Sequence, residues 1–218
     1  MSALARYYGT TLGKKLVMAV TGIVLFGFVL LHMVGNLQVF LGREQLNAYA
    51  RLLRVEPLVL WAARLVLLGC VLVHITTAVQ LTVHDWTMRP VGYGRRRYRA
   101  AGYAGRTMVW SGPIVAAFVV YHLLHFTFGT VHPDFVAGDV YHNVVAGFSV
   151  WYVAGFYVVA QLLLGMHLYH GLWSLFQTLG ASHASYDRAR RVVAQALAYV
   201  IVVGNCSIPV AVMVGLVR

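Results

Sequence analysis

Charge is what this chain has least of. Only 6 of its 218 residues are acidic, and charged residues of both signs make up 11%, against about 25% in an ordinary soluble domain. Residues 16–42, 65–84, 107–133, 140–186 and 192–217 contain no Asp, Glu, Lys or Arg. A membrane-crossing helix needs roughly 20 mostly apolar residues, so each run holds one span. The expectation is an all-α, five-helix membrane bundle forming a single domain, with spans at about 16–41, 58–85, 107–129, 148–179 and 192–217. Cysteine is nearly absent too. Cys70 and Cys206 fall inside expected spans, and no Cys-x-x-Cys-His occurs, which excludes a disulfide framework and covalent haem attachment. A cleavable leader is not expected either. Lys14 and Lys15 adjoin a first apolar run too long for a signal peptide, with no small-residue cleavage pattern after it.

The charge that remains is basic and unevenly placed. Arg6, Lys14 and Lys15 precede the first span; Arg89, Arg95, Arg96, Arg97, Arg99 and Arg106 lie between the second and third; Arg188, Arg190 and Arg191 lie between the fourth and fifth. The opposite side has Arg43, Arg51, Arg54 and Arg218, with Glu44, Glu56, Asp134 and Asp139. By the positive-inside rule the N-terminus is cytoplasmic and the C-terminus outside, in a multi-pass protein of the cytoplasmic membrane. A net charge of +11 distributed in this way argues for lipid and a cytoplasmic docking face, and against nucleic acid. Residues 42–56 are amphipathic at helical spacing, with Leu46, Tyr49 or Ala50, and Leu53 on one face. They read as a helix lying in the interface, before Pro57 opens the second span. The region of Gly138, Asn143 and Gly147 reads as an outer loop.

What the apolar segments do contain is histidine. His32, His74, His122 and His167 each sit inside a different span, and a buried imidazole is costly in a bilayer unless paired or ligated. At ~1.5 Å rise per residue, His32 and His122 lie roughly 16–18 Å below the outer boundary, while His74 and His167 lie about 26–28 Å below it. The depths pair the first span with the third, and the second with the fourth about 10 Å deeper. Two bis-histidine haems require such an arrangement, and a bundle core is a usual place for them. Zinc fits less well, because structural zinc takes four clustered ligands and these histidines divide by depth. A haem-free proton-relay transporter would be expected to carry buried carboxylates, and none lies mid-span.

The motifs resemble a known family. His32-Met-Val-Gly-Asn36-Leu-Gln-Val-Phe-Leu-Gly42 with Asn47-Ala-Tyr49-Ala-x-Leu52, then Tyr121-His122-Leu-Leu-His-Phe, then Met166-His167-Leu-Tyr-His-Gly171-Leu-Trp173-Ser-Leu-Phe-Gln-Thr-Leu-Gly180 are similar to the dihaem cytochrome b membrane anchor of succinate dehydrogenases and fumarate reductases. The resemblance spans most of the chain. It implies a membrane subunit of a succinate:quinone oxidoreductase, holding two non-covalent b haems and no dicarboxylate site. A flavoprotein and an iron–sulfur subunit would dock on the cytoplasmic face, and the electron acceptor would be a quinone, menaquinone by preference. It further implies His74 and His167 on the inner haem iron and His32 and His122 on the outer. Higher oligomers of the complex fit the same picture.

Other residues are second-line candidates. His125 and His170 each follow a ligand by three positions, as propionate contacts or as ligands one turn away. Arg64, an intramembrane charge in the second span, suits a haem propionate. Glu56 and Glu44 are candidates for proton supply to a quinone, and Asn36, Gln38, Asn47 and Tyr49 for hydrogen bonds to it. His84, His132 and His142 read as solvated. Two other readings stay open: the dihaem anchor of another quinone-linked oxidoreductase such as a quinol:fumarate reductase, and the haem-free transporter.

Overall fold

The computed structural model describes residues 3–88, 103–181 and 183–218; the basic segment around Arg89–Arg99 lies outside them. The described chain is helical and has no strand. In order it forms α1 (Ala3–Tyr8), α2 (Thr11–Asn36), α3 (Arg43–Leu52), α4 (Pro57–Thr87), α5 (Tyr103–His122), α6 (Val140–Ser149), α7 (Trp151–Thr178) and α8 (Asp187–Met213). A 3₁₀ turn at Leu37–Leu41 continues α2, and a π-turn at Leu123–Thr127 continues α5. Five helices are long and apolar enough to cross a membrane, namely α2, α4, α5, α7 and α8 with their continuations.

Local chemistry explains the boundaries. The Thr10 hydroxyl accepts from Gly13 N at 3.0 Å and caps α2, satisfying one of the amide groups a helix start leaves free. Pro57 opens α4 at a position where its missing N–H costs nothing. The Asp139 carboxylate caps α6, accepting from His142 N at 3.1 Å. Pro113 and Pro209 lie inside α5 and α8, which continue through them.

Three boundaries differ from expectation. The first span begins at Thr11 rather than near 16, and the fifth at Asp187 rather than 192. Residues 140–149, expected as loop, form a separate helix, and Val150 leaves helical geometry (φ −82°, ψ 103°) before α7 starts. The amphipathic segment is the short helix α3. It packs Leu46 and Tyr49 inward, while Leu53 is 52% exposed.

Packing is uneven along the bundle. The buried cluster of Val39, Leu46, Phe118, Phe148, Val153, Tyr157, Ile208 and Val212 gathers at the end where α3 and α6 lie against α2 and α8. There Arg43 pairs with Asp139, and Asn47 bonds both Asp139 Oδ1 (2.8 Å) and Tyr141 N (3.0 Å). These contacts stitch α3 to α6. At the other end Arg190 and Arg191 share Asp187 at 2.6 and 2.9 Å, and Arg191 lies over Trp173 at 4.4 Å. α7 packs along α8, α5 and α2. α4 packs along α2 and has no comparable neighbour among the described residues.

Candidate functional site

Each of the four intramembrane histidines meets one other across a gap between helices. His32 on α2 and His122 at the end of α5 have ring centres 5.8 Å apart, with planes at 88°. His74 on α4 and His167 on α7 have ring centres 6.4 Å apart, with planes at 59°. Neither α2 with α5 nor α4 with α7 packs closely together, so the imidazoles approach where the backbones do not. A metal ion bonded to one nitrogen of each of two opposed imidazoles, at the roughly 2.0–2.1 Å of metal–imidazole bonds, holds the ring centres about 6 Å apart. Both pairs match that spacing. Among the described residues no three His, Cys, Asp or Glu converge, so the histidines meet as twos.

The pairs lie at two levels. His74 sits beside Thr21 of α2, its Nδ1 at 3.0 Å from the hydroxyl, and His32 is eleven residues further along that helix, about 16 Å at helical rise. His122 sits beside Tyr157 of α7, at 3.4 Å from its hydroxyl, and His167 is ten residues on, about 15 Å. Two helices therefore give the same offset. It exceeds the expected 10 Å because the chain from Phe128 to Asp134 is not helical, so counting helical rise from Asp134 overstates the depth of His122.

The surroundings of the imidazoles differ. The Thr21 hydroxyl lies 2.9 Å from Val17 O, 3.2 Å from Met18 O and 3.0 Å from His74 Nδ1; when its hydrogen goes to a backbone carbonyl, His74 Nδ1–H donates to it and Nε2 keeps the lone pair that binds a metal. Gly22 lies against the same ring, where a Cβ would stand 3.5 Å from Cε1. Phe28 stacks on His32 at 5.3 Å. His167 Nδ1 is buried without a partner. Further along α2, Gly35 receives the Tyr49 ring, and nothing lies within 4 Å of a Cβ placed at Gly27.

The second-line candidates fall into several groups. His125 has no accessible surface, and its Nδ1 is bonded to the Tyr157 hydroxyl at 3.0 Å. His170 is half-buried, with its ring 6.2 Å from that of Trp173. Arg64 is exposed and lies over Trp61 at 5.1 Å. Glu44 and Glu56 are exposed, Asn36 and Gln38 half-buried. Asn47 and Tyr49 are committed to seating α3, as described above. His84 is exposed, as expected. His132 is not merely solvated. Its Nδ1 accepts from Asp134 N (3.0 Å) and its Nε2 bonds Asn143 O (2.8 Å). His142 likewise bonds the Asp134 carboxylate at 3.0 Å.

Outside the spans, one titration is strongly shifted. Hydrogen bonding from Arg43 holds the Asp139 carboxyl far below the usual carboxylate range, helped by Asn47 and His142 N.

Sequence reasoning did not single out Thr21 or Tyr157. Thr21 is eleven residues from His32, three turns along the same face of α2, and that polar position on a histidine face was the available signal. A tyrosine inside an apolar span signals a buried hydroxyl that needs a partner. Nothing local says that the partner is histidine. No protein-family model, curated protein or solved structure matches the chain.

Proposed function

We propose that this chain is the dihaem cytochrome b anchor subunit of a succinate:quinone oxidoreductase in the cytoplasmic membrane, N-terminus inside, with the cytoplasmic flavoprotein and iron–sulfur subunits as partners. One observation carries the proposal: two histidine pairs, at metal-bridging separation and about 15 Å apart along α7, link helices that do not otherwise pack. When bound, the two b haems would supply one-electron carriage between the iron–sulfur partner and a quinone, menaquinone by preference.

The chain's own residues have distinct tasks in this reading. His74 and His167 would hold the haem nearer the basic end, where Arg190 and Arg191 frame Trp173. His32 and His122 would hold the other, beneath the lid of α3 and α6. Thr21 gives His74 Nδ1 an outer-shell hydrogen bond of the kind that orients metal-binding imidazoles. Gly22 leaves the ring room to stand against α2. The absence of close packing between α4 and α7 leaves space for a flat macrocycle. Arg64 stands on α4 as a cation for a propionate. The enclosed His125 ring offers no open edge for one, which leaves His170 as the histidine candidate.

A pyridine haemochrome assay of the purified chain tests the proposal. Two b haems per chain are expected. A chain that binds none is not a dihaem anchor, and the transporter reading then takes its place. Co-purification of flavin and iron–sulfur subunits is the expected outcome for the complex, and succinate oxidation compared with fumarate reduction sets its direction.

A further inference from the structure

Tyr157 is 4% exposed, deep between α5 and α7, and its hydroxyl is shared by two imidazoles. It lies 3.4 Å from His122 Nδ1 and 3.0 Å from His125 Nδ1. A phenol donates one hydrogen and accepts others, so at most one of the two histidines receives its proton. His125 is the more tightly held. It has no accessible surface, and its ring is stacked between Tyr121 (5.6 Å) and His132 (4.8 Å). Its Nε2 has no hydrogen-bond partner and lies against Gly147, where a Cβ would come within 3.1 Å. His132 is itself pinned through both nitrogens.

The π-turn makes this split. His122 ends α5 and faces His32, whereas His125, inside the wider turn, faces the α6 side and His132. π-turns within α-helices occur frequently at functional sites. Here one lets two histidines three residues apart serve different neighbours while both reach the same hydroxyl.

The geometry points to Tyr157 as the positioning residue that makes His122, and not His125, the iron ligand of its pair. This inference rests on the dihaem reading. If the phenol donates to His125 Nδ1, its oxygen accepts from His122 Nδ1–H. His122 then presents the lone pair of Nε2 to the gap shared with His32, and His125 keeps its proton on Nε2, against Gly147. A hydrogen bond from the far nitrogen also makes a ligating imidazole more basic, which favours the oxidised iron.

The test is Tyr157→Phe in the full chain, purified in lipid nanodiscs. Its readouts are haem content, electron paramagnetic resonance, redox titration of each haem, and ¹⁵N resonances of the His122 ring in the reduced, diamagnetic form. The expected result is two haems still bound, with the potential and resonance signature of one moved, its potential upward, and the other unchanged. The His122 Nδ1–H resonance also shifts, because that N–H has lost its acceptor. His125→Ala, with Tyr157 intact, is expected to retain both haems and to move the same signal less. The proposal is overturned if Tyr157→Phe leaves both haem signals and the His122 Nδ1–H resonance as in the parent. It is also overturned if His125→Ala loses a haem that His122→Ala keeps. A parent chain without haem brings down the dihaem reading instead. The His122 Nδ1–H resonance measured on that same material still decides the hydrogen bond: a change in Tyr157→Phe upholds it, and no change overturns it.

Discussion

At the scale of single residues, the two levels of histidine are held differently. His74 Nδ1 has a hydrogen-bond partner in the Thr21 hydroxyl at 3.0 Å, which also reaches Val17 O at 2.9 Å. His167 has a buried Nδ1 with no partner. Thr21→Val keeps the shape of the side chain and removes the hydroxyl, so it isolates that hydrogen bond. Loss of an outer-shell partner typically weakens metal binding 10–100-fold, and a loss in that range is expected for one haem only. A haem-transfer assay to a high-affinity acceptor measures it, and equal retention by Thr21→Val and parent would count against the assignment. His167→Ala should remove one haem signal, whereas His170→Ala should leave two. If the optical spectra reverse that order, the ligand on α7 is His170.

At the scale of elements, the α3–α6 lid shows how short helices are set by a few polar atoms. Asp139 caps α6, bonds Asn47 and pairs with Arg43. Its folded-state pKa is depressed, so its stabilisation is complete above the unfolded value of about 3.9 and is lost as pH falls through the lower folded value. Thermal unfolding of the parent should owe no pH dependence to Asp139 from about pH 8 down to about pH 5. Asp139→Ala should lower stability by roughly 1 kcal/mol for the cap alone and flatten the acid limb. Gly147→Ala tests the other side of the lid. Its Cβ would meet His125 Cε1 at 2.9 Å and His132 Nε2 at 3.0 Å. Both rings are stacked and bonded, so the expected cost is about 1–3 kcal/mol, as for overpacking elsewhere.

The lid is also the part least legible in the sequence. The five spans can be read because charge-free apolar runs report a bilayer directly. The histidine pairs can be read because counting residues gives depth. The helix at 140–149 reads as loop because Gly138 and Asn143 look like turn residues. Asn143 is in fact buried, holding the 136–143 turn through Val136 N (2.8 Å) and Val136 O (2.9 Å). The π-turn has no sequence signal, since its effect is to divide two histidines between neighbours that only the fold supplies.

At the scale of the whole molecule, the helices fall into unequal attachments. None of the most apolar window of α4 is buried, against 33% for the corresponding windows of α7 and α8. α4 touches the rest chiefly along α2, where Thr21 meets His74, and it also meets α1 through Tyr8, which bonds Thr77 (3.3 Å) and Gln80 (3.2 Å). In lipid, apolar side chains gain little by choosing protein over acyl chain, so helices associate through close packing and polar contacts. α4 has few of either with α7. A bound group joining His74 to His167 would therefore be the main tie between α4 and the helices beyond α1 and α2. The native cysteines allow this to be measured, because Cys70 lies on α4 and Cys206 on α8. Spin labels at these positions should give a narrow distance distribution in the loaded, reduced parent. In His74→Ala the distribution should broaden toward longer distances, while the α7–α8 packing, probed by labels placed on those two helices, stays unchanged. Unchanged Cys70–Cys206 distances in His74→Ala would mean that α1 and α2 suffice to hold α4, and that a group proposed to join His74 to His167 does not brace the fold.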